Sequence, residues 1–417
     1  MKILWITNIL FPEAEQQITG SGEIKASGGW MLGAANALTY SSEINLFVAC
    51  VSTKVTELAQ LKGERITYFI IPYGKGNLKY NSDYCSYWKQ INGLVSPDIV
   101  HIHGTEYSHG LAYMKACGND NVVISIQGLT SAYYYYYYYG MTKKDIYRNM
   151  TFRDLLRGNV LKGQKLFKQR SIHEIEMLKM AKHVIGRTSW DRARTWAINP
   201  FAKYHFCNET LRAEFYDGSE WSYDKCDKYS IFLSQASYPL KGLHQVLKAM
   251  PLILQHYPDA QIRVAGTDIT KSATIVEKLR LSGYGKYIKS LIRKYALEGK
   301  ITFTGSLNGK QMKQEYLRAN VFICPSAIEN SPNSLGEAQM LGTPCVASYV
   351  GGIPDMMKGN EDSLYRFEEI EMLAEKVCSV FADYSFSKNM QEDARKRHNA
   401  QENANRLFEI YLEIQNS

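Results

Sequence analysis

The chain has 417 residues, 45% of them hydrophobic and 22% charged, and a formal net charge of +8. That length makes two domains the natural prior, and the composition is that of a globular protein with two cores, which excludes a disordered chain. No stretch reaches the ~20 apolar residues that cross a bilayer, so a soluble or peripheral protein is expected; the mild positive charge does not call for nucleic acid and suits anionic substrates or an anionic membrane surface.

The first residues carry too short an apolar run for a signal peptide and read as a buried strand at Ile3–Ile6. Ser27-Gly28-Gly29-Trp30 follows, ahead of good helix formers. Ser27 can cap, and the glycines let backbone approach a ligand closely. This is not the Gly-x-Gly-x-x-Gly that a dinucleotide site places directly after its strand. Ile44–Ala49, Ile66–Ile71, Ile99–Ile102, Val122–Ile126 and Val184–Ile185 read as further strands buried on both faces, with helical material between most of them. Such alternation implies a parallel sheet covered on both sides. Ligands of these sheets bind beyond the carboxyl ends of the strands, where His103, Gly104, Gln127 and Arg187 stand.

Seven consecutive tyrosines, Tyr133 to Tyr139, precede a basic stretch running from Lys143 to Arg170. Phe152, Leu155 and Leu156 take helical spacing among its arginines. Tyrosine and cationic side chains suit a membrane–water interface. A solvated basic helix beside an aromatic core segment fits the same residues, as does a guide for a phosphorylated acceptor.

Residues 213–228 are polar and weakly patterned, and are expected to be a linker. The strand pattern then restarts at Ile231–Leu233, Ile262–Ala265, Ile301–Phe303, Val321–Cys324 and Cys345–Ala347. Leu243, Val246, Leu247, Met250, Ile253 and Leu254 share one helical face, with Pro251 placed to distort it. After Cys324 comes a loop with Glu329, then a helix expected to start at Asn333 or Ser334, both good N-caps, and to end at Gly342 before Pro344. The N–H groups of a helix start can hold a phosphate. Glu329 and Glu337 can accept hydrogen bonds from sugar and ribose hydroxyls. Taken singly, each has a bland reading: a first-turn acid complements the helix dipole, and Lys241 alone is a solvated surface lysine. Leu407, Ile410, Tyr411 and Ile414 outline an amphipathic terminal helix. The expected division is an N-terminal unit at 1–212, a linker at 213–228, a C-terminal unit at 229–395, and a terminal segment at 396–417 packing back on the first unit. The 8 cysteines form no CxxC pair and read as reduced thiols of a cytoplasmic protein.

The order of these residues resembles the donor-binding signature of the family 4 retaining glycosyltransferases. That signature is a Glu-x7-Glu pair, an Ala, a Gly-x-Pro strand entry and a Gly-Gly-x-Pro turn. Glu329, Glu337, Ala338, Gly342, Pro344, Gly351, Gly352 and Pro354 fall in step with it. Lys241-Gly242 matches the family's Lys-Gly pair, and Ser27–Trp30 resembles its Gly-Gly loop. The chain departs at Gln235, where an arginine is usual, at Gln127, where a histidine is usual, and at Asn330-Ser331-Pro332, where Gly and Phe are frequent.

The resemblance implies an α/β protein of GT-B class, with two Rossmann-like domains whose parallel sheets face across a cleft. It implies metal-independent, retaining transfer of a hexose-type sugar from a UDP- or GDP-sugar to a hydroxyl of a saccharide or lipid-linked saccharide. The setting would be cell-surface or capsular polysaccharide assembly, in the cytoplasm at the inner face of the membrane. No cofactor is implied, and the absence of any Asp-x-Asp agrees with no required metal. By the same resemblance Glu329 meets hydroxyls of the transferred sugar, Glu337 the ribose, and N–H groups near Ser334 and Leu335 the distal phosphate. Lys241 grips the diphosphate. Gly28, Gly29, Gln235, Asn330 and Ser331 complete the donor site, and His103 and Arg187 lie on the acceptor side, Arg187 being also a candidate for the missing cation. Gln127 cannot take up a proton, so it would orient a hydroxyl while the leaving phosphate accepts the acceptor's proton. Stabilising the departing diphosphate then carries most of the catalysis. Two rivals share the fold: a sugar-nucleotide epimerase or hydrolase, which needs a general base, and a non-catalytic nucleotide-sugar-binding protein.

Overall fold

The computed structural model describes residues 1–20, 29–40, 43–73, 80–385 and 387–417. Its first sheet contains β1 (Lys2–Thr7), β2 (Asn45–Ser52), β3 (Ala59–Lys62), β4 (Ile66–Pro72), β5 (Ile99–His103), β6 (Val122–Ser125), β7 (His183–Gly186) and β8 (Lys203–Phe206), in the order β3-β4-β2-β1-β5-β6-β7-β8. All neighbours are parallel except β3 with β4. The second sheet contains β9 (Ser230–Leu233), β10 (Gln261–Val264), β11 (Ile301–Phe303), β12 (Val321–Cys324), β13 (Cys345–Ser348) and β14 (Leu364–Tyr365), all parallel, in the order β11-β10-β9-β12-β13-β14. Strand order reverses at β1 and at β9, the switch points where such sheets open a crevice for ligands.

Every apolar run read as a strand forms one. The three strands the pattern did not reveal, β3, β8 and β14, lie at sheet edges. An edge strand is covered less completely, so it needs no continuous apolar run; β3 is Ala-Gln-Leu-Lys with alternating exposure.

The chain folds as two compact units: residues 1–132, 166–213 and 397–417, and residues 133–165 with 214–396. This differs from the expected division in two places. The tyrosine run and the basic helices after it fold with the second unit. Met141 and Ile146 enter the core built on Ile231, Leu243 and Val246, Tyr138 packs against it, and His244 Nε2 lies 3.0 Å from the Tyr139 carbonyl. Residues 214–228 are docked rather than free. Phe215 is buried beside Tyr316, Trp221 Nε1 donates to the Ala319 carbonyl at 2.7 Å, and Arg318 pairs with Asp227 at 2.8 Å. A polar, aromatic segment without periodicity can still be anchored by single side chains, which is why its pattern looks like a linker.

In the second unit alternate residues of β9 serve opposite faces. Ile231 and Leu233 join one core, Phe232 the other. In the first unit the terminal helix Ala400–Gln415 lays Leu407, Ile410, Tyr411 and Ile414 against Ile3 and Trp5. The Tyr411 hydroxyl accepts from Trp5 Nε1 at 2.9 Å and bonds His101 Nδ1 at 2.6 Å, while His101 Nε2 meets Ser125 Oγ at 2.6 Å. The buried polar atoms of Trp5, His101, Ser125 and Tyr411 thus satisfy one another.

Candidate functional site

The second-unit site is built from two loops at the carboxyl ends of β9 and β12. After β9 the chain makes a tight turn at Pro239–Lys241, and Gly242 closes it at φ +75° with its N–H on the Pro239 carbonyl at 2.9 Å. Proline fixes the entry angle. Glycine is required at the exit: a Cβ there would lie 1.7 Å from the Pro325 carbonyl oxygen. The Ala327 N–H donates to the Leu240 carbonyl at 2.8 Å, so the two loops are interlocked through backbone.

That lock brings Lys241 and Glu329 together. Lys241 Nζ donates to Glu329 Oε1 at 2.5 Å, and Ser326 Oγ donates to the same oxygen at 2.9 Å. Burial works to lower the Lys241 pKa, but the Glu329 charge and the neighbouring Tyr238 outweigh it and hold the pKa above its ordinary value. Lys241 is therefore a cation at every physiological pH. The Glu329 carbonyl accepts from Gly352 N–H at 3.0 Å, and a Cβ on Gly351 would come within 1.8 Å of that carbonyl oxygen. The Gly-Gly-x-Pro turn is thus the backbone rest on which Glu329 sits.

The helix Asn333–Met340 follows, but its N-cap is Pro332; neither Asn333 nor Ser334 caps it. The Pro332 carbonyl takes the Leu335 N–H at 3.0 Å and the Gly336 N–H at 3.3 Å. Asn333 and Ser334, as the first helical residues, have no intrahelical acceptor for their N–H groups. Leu335, expected beside the phosphate, already has its N–H on Pro332. Glu337 is buried, and Tyr316 Oη donates to its Oε2 at 3.3 Å. Asn330 is buried and Ser331 partly so. Gln235 is exposed, with Nε2 3.5 Å from Ser237 Oγ. It lines a groove with Ser234, Gly266, Thr267 and Ser306 beyond the ends of β9 and β10.

In the first unit Gly28 lies outside the described residues, and Gly29 opens the helix Gly29–Leu38, packed close to Arg212. His103 is buried at the end of β5, stacked on His101 with ring centroids 3.8 Å apart. Burial, then the Arg187 charge, hold its pKa down at about 3, so the ring is neutral. Gln127 Nε2 donates to Glu209 Oε1 at 2.7 Å, and Arg187 pairs with the other oxygen of the same carboxylate. Arg187 also donates to the Ile126 carbonyl at 2.5 Å. Gln127, Arg187 and Glu209 therefore form one cluster at the ends of β6 and β7. The sequence reading missed Glu209, which has no motif and lies 82 residues from Gln127.

It also missed Glu106, three residues beyond His103. Burial raises its carboxyl pKa from 4.5 to about 7, against its own and the Gly128 N–H groups; Glu174 raises it further and Arg170 opposes. Because the folded pKa lies above the unfolded one, the contribution to stability is full below the unfolded value and is lost as pH rises through 4.5 to about 7. The loss amounts to about 3 kcal/mol. Urea unfolding at pH 5, 6, 7 and 8 should show that decline in the native chain and a flatter profile in Glu106→Gln; equal slopes would refute it.

Residues 220–397 match the family model of the glycosyl transferases group 1. This part of the chain is similar to the glycosyl transferases group 1. The matched residues contain Lys241, Glu329 and Glu337, so the interlocked loops lie inside the matched segment. An uncharacterized glycosyltransferase of Methanocaldococcus jannaschii is 26% identical over 171 residues, 41% of this chain and 40% of the relative. The phosphatidylinositol N-acetylglucosaminyltransferase gpi3 subunit of Schizosaccharomyces pombe is 27% identical over 158 residues, 38% of this chain and 31% of the relative. The chain thus aligns with less than half the length of these curated relatives. Sucrose-phosphate synthase from Thermosynechococcus elongatus superposes with a TM-score of 0.70 at 16% identity, covering 99% of this chain and 98% of that one. Anabaena HepE in complex with UDP superposes at 0.63 and 14% identity, covering 98% and 99%. At such identities the likeness establishes the fold, which is GT-B as expected.

Proposed function

We propose that the chain is a retaining, metal-independent glycosyltransferase of family 4 type. It moves a hexose-type sugar from a nucleoside diphosphate sugar onto an acceptor hydroxyl. The observation that carries this reading is the Lys241–Glu329 pair, held by backbone interlock in the loop that runs into the helix start at Asn333 and Ser334. A fixed cation and helix N–H groups in one place suit a diphosphate. Their attraction grows as the bond to the leaving group breaks, which is how such a site lowers a barrier. Glu329 accepts from hydroxyls of the transferred sugar and Glu337 from the ribose, with Tyr316 fixing the Glu337 carboxylate. Gln235, Asn330 and Ser331 line the donor, and Gln127 orients a hydroxyl with Arg187 and Glu209 holding it.

UDP in the Anabaena protein favours a UDP-sugar as donor. A phosphatidylinositol substrate in the name of the yeast relative favours a lipid-linked acceptor; surface polysaccharide assembly at the inner face of the membrane is what the family resemblance implies. Among the described residues no helix is long and apolar enough to cross a membrane.

Thermal shift with UDP-, GDP-, ADP- and CDP-sugars tests the donor. The best ligand should lose roughly tenfold to hundredfold in affinity for Glu337→Ala, the worth of a hydrogen bond or two to a charged group. An unchanged shift rejects the ribose contact. A hydrolase or epimerase reading draws support from Glu106, a carboxylate with the pKa a general base needs. Rapid UDP release from UDP-glucose with water alone, abolished in Glu106→Gln, would favour it.

A further inference from the structure

The short helices Phe152–Arg157 and Ile275–Arg280 of the second unit lie against each other with their amphipathic sense inverted. The buried residue of the first is Asp154; the second buries none of its own. Phe152, Leu155 and Leu156 on one helix and Ile275, Val276 and Leu279 on the other are 51–76% exposed. The inner contacts are polar or glycyl. Asp154 reaches toward Gly283, Thr151 Oγ1 accepts from Asp154 N–H at 3.3 Å, and Lys286 Nζ donates to the Met150 carbonyl at 3.4 Å. Folding of this chain leaves the apolar side chains of both helices facing out. Six exposed apolar side chains on two packed surface helices mark a place where something docks.

The charges around it identify what docks. Residues 143–157 and 271–286 carry nine Lys and Arg against three acids. Two of those acids are engaged in capping boxes, Asp145 with Thr142 and Glu277 with Thr274, and the third is the buried Asp154. Bases therefore dominate the rim of the apolar face. Leu, Ile and Phe flanked by Lys and Arg on short surface helices fit the boundary between acyl chains and phosphate headgroups.

We infer that this face of the second unit docks on an anionic lipid bilayer. The inference deepens the lipid-linked acceptor reading and rests on it for its purpose. Of the tyrosine run, which the sequence suggested for this role together with the basic segment, Tyr137 stacks on Tyr238 and Tyr139 lies tilted against Phe367 within the unit, while Tyr135 is exposed.

Flotation of the full chain with phosphatidylcholine vesicles, with and without phosphatidylglycerol, tests it. Binding should require phosphatidylglycerol and weaken in high salt. Leu155→Glu with Leu156→Glu, and separately Ile275→Glu with Val276→Glu, should each reduce it roughly tenfold or more. These side chains are exposed, so melting temperature and the nucleotide-sugar thermal shift should stay as in the native chain. No binding to phosphatidylglycerol vesicles, or equal binding by the variants, overturns the inference while leaving the donor reading standing. A native dimer that the variants convert to monomer overturns it in favour of a second copy on this face. Loss of the nucleotide-sugar shift in the native chain would instead strike the donor reading alone.

Discussion

Lys241→Ala is expected to lower sugar transfer roughly 10²–10³-fold, about 3–4 kcal/mol of barrier, the range seen when one fixed charge-stabilising group is removed. Lys241 is a cation held on Glu329, in the loop that leads into the helix Asn333–Met340, and Gln235 brings no charge to replace it. The same change strands the mostly buried Glu329 carboxylate, leaving it the Ser326 hydroxyl, so the fold should weaken too. The two effects separate in a double variant. Lys241→Met with Glu329→Gln removes both charges, so unfolding stability should return toward that of the native chain while transfer stays low. Lys241→Arg should rescue incompletely, because a planar fork does not replace a compact ammonium in a pocket closed by backbone. Calorimetric binding of UDP-glucose and UDP release measure the functional side. Native-like transfer by Lys241→Ala would remove the centre of the proposed site.

Gly242→Ala should cost about 3 kcal/mol or more of stability and abolish donor binding with it. The residue sits at φ +75°, where a side chain is strained by about 1–3 kcal/mol. The added carbon would also collide with the Pro325 carbonyl, which is backbone and cannot swing away. Relief would need the two loops to part, breaking the Ala327–Leu240 bond and the Lys241–Glu329 pair together. Gly299→Ala makes a matched control, with similar φ and nothing within 4 Å of its Cβ position. Denaturant midpoints of the two variants should differ clearly. If they match, the interlock is not what positions Lys241.

Much of this was legible in the sequence because short-range chemistry wrote it there. Central parallel strands need unbroken apolar runs, and β1, β9 and β12 show them. Lys241, Gly242, Glu329 and Gly351 each sit in a local turn whose residue types are dictated by backbone contact, so their spacing carries the signal. What joins distant segments left no trace. Glu209 is an ordinary loop glutamate until β6 and β7 bring Gln127 and Arg187 to it. Residues 133–165 read as part of the first unit because they follow its sixth strand, yet their burial is spent on Leu243 and Val246. Pro332 replaced the expected N-cap because its carbonyl can accept the first bonds without any capping side chain.

The hydroxyl of Tyr411 meets Trp5 and His101 across 406 and 310 residues. On the ribosome Tyr411 emerges long after both of these partners. The second unit is complete once residue 396 has left the exit tunnel, whereas the first, begun earlier, must wait for the helix Ala400–Gln415 to cover Ile3 and Trp5. A transcript that stops before codon 400 would therefore yield a finished second unit joined to a first unit still open to chaperones and proteases.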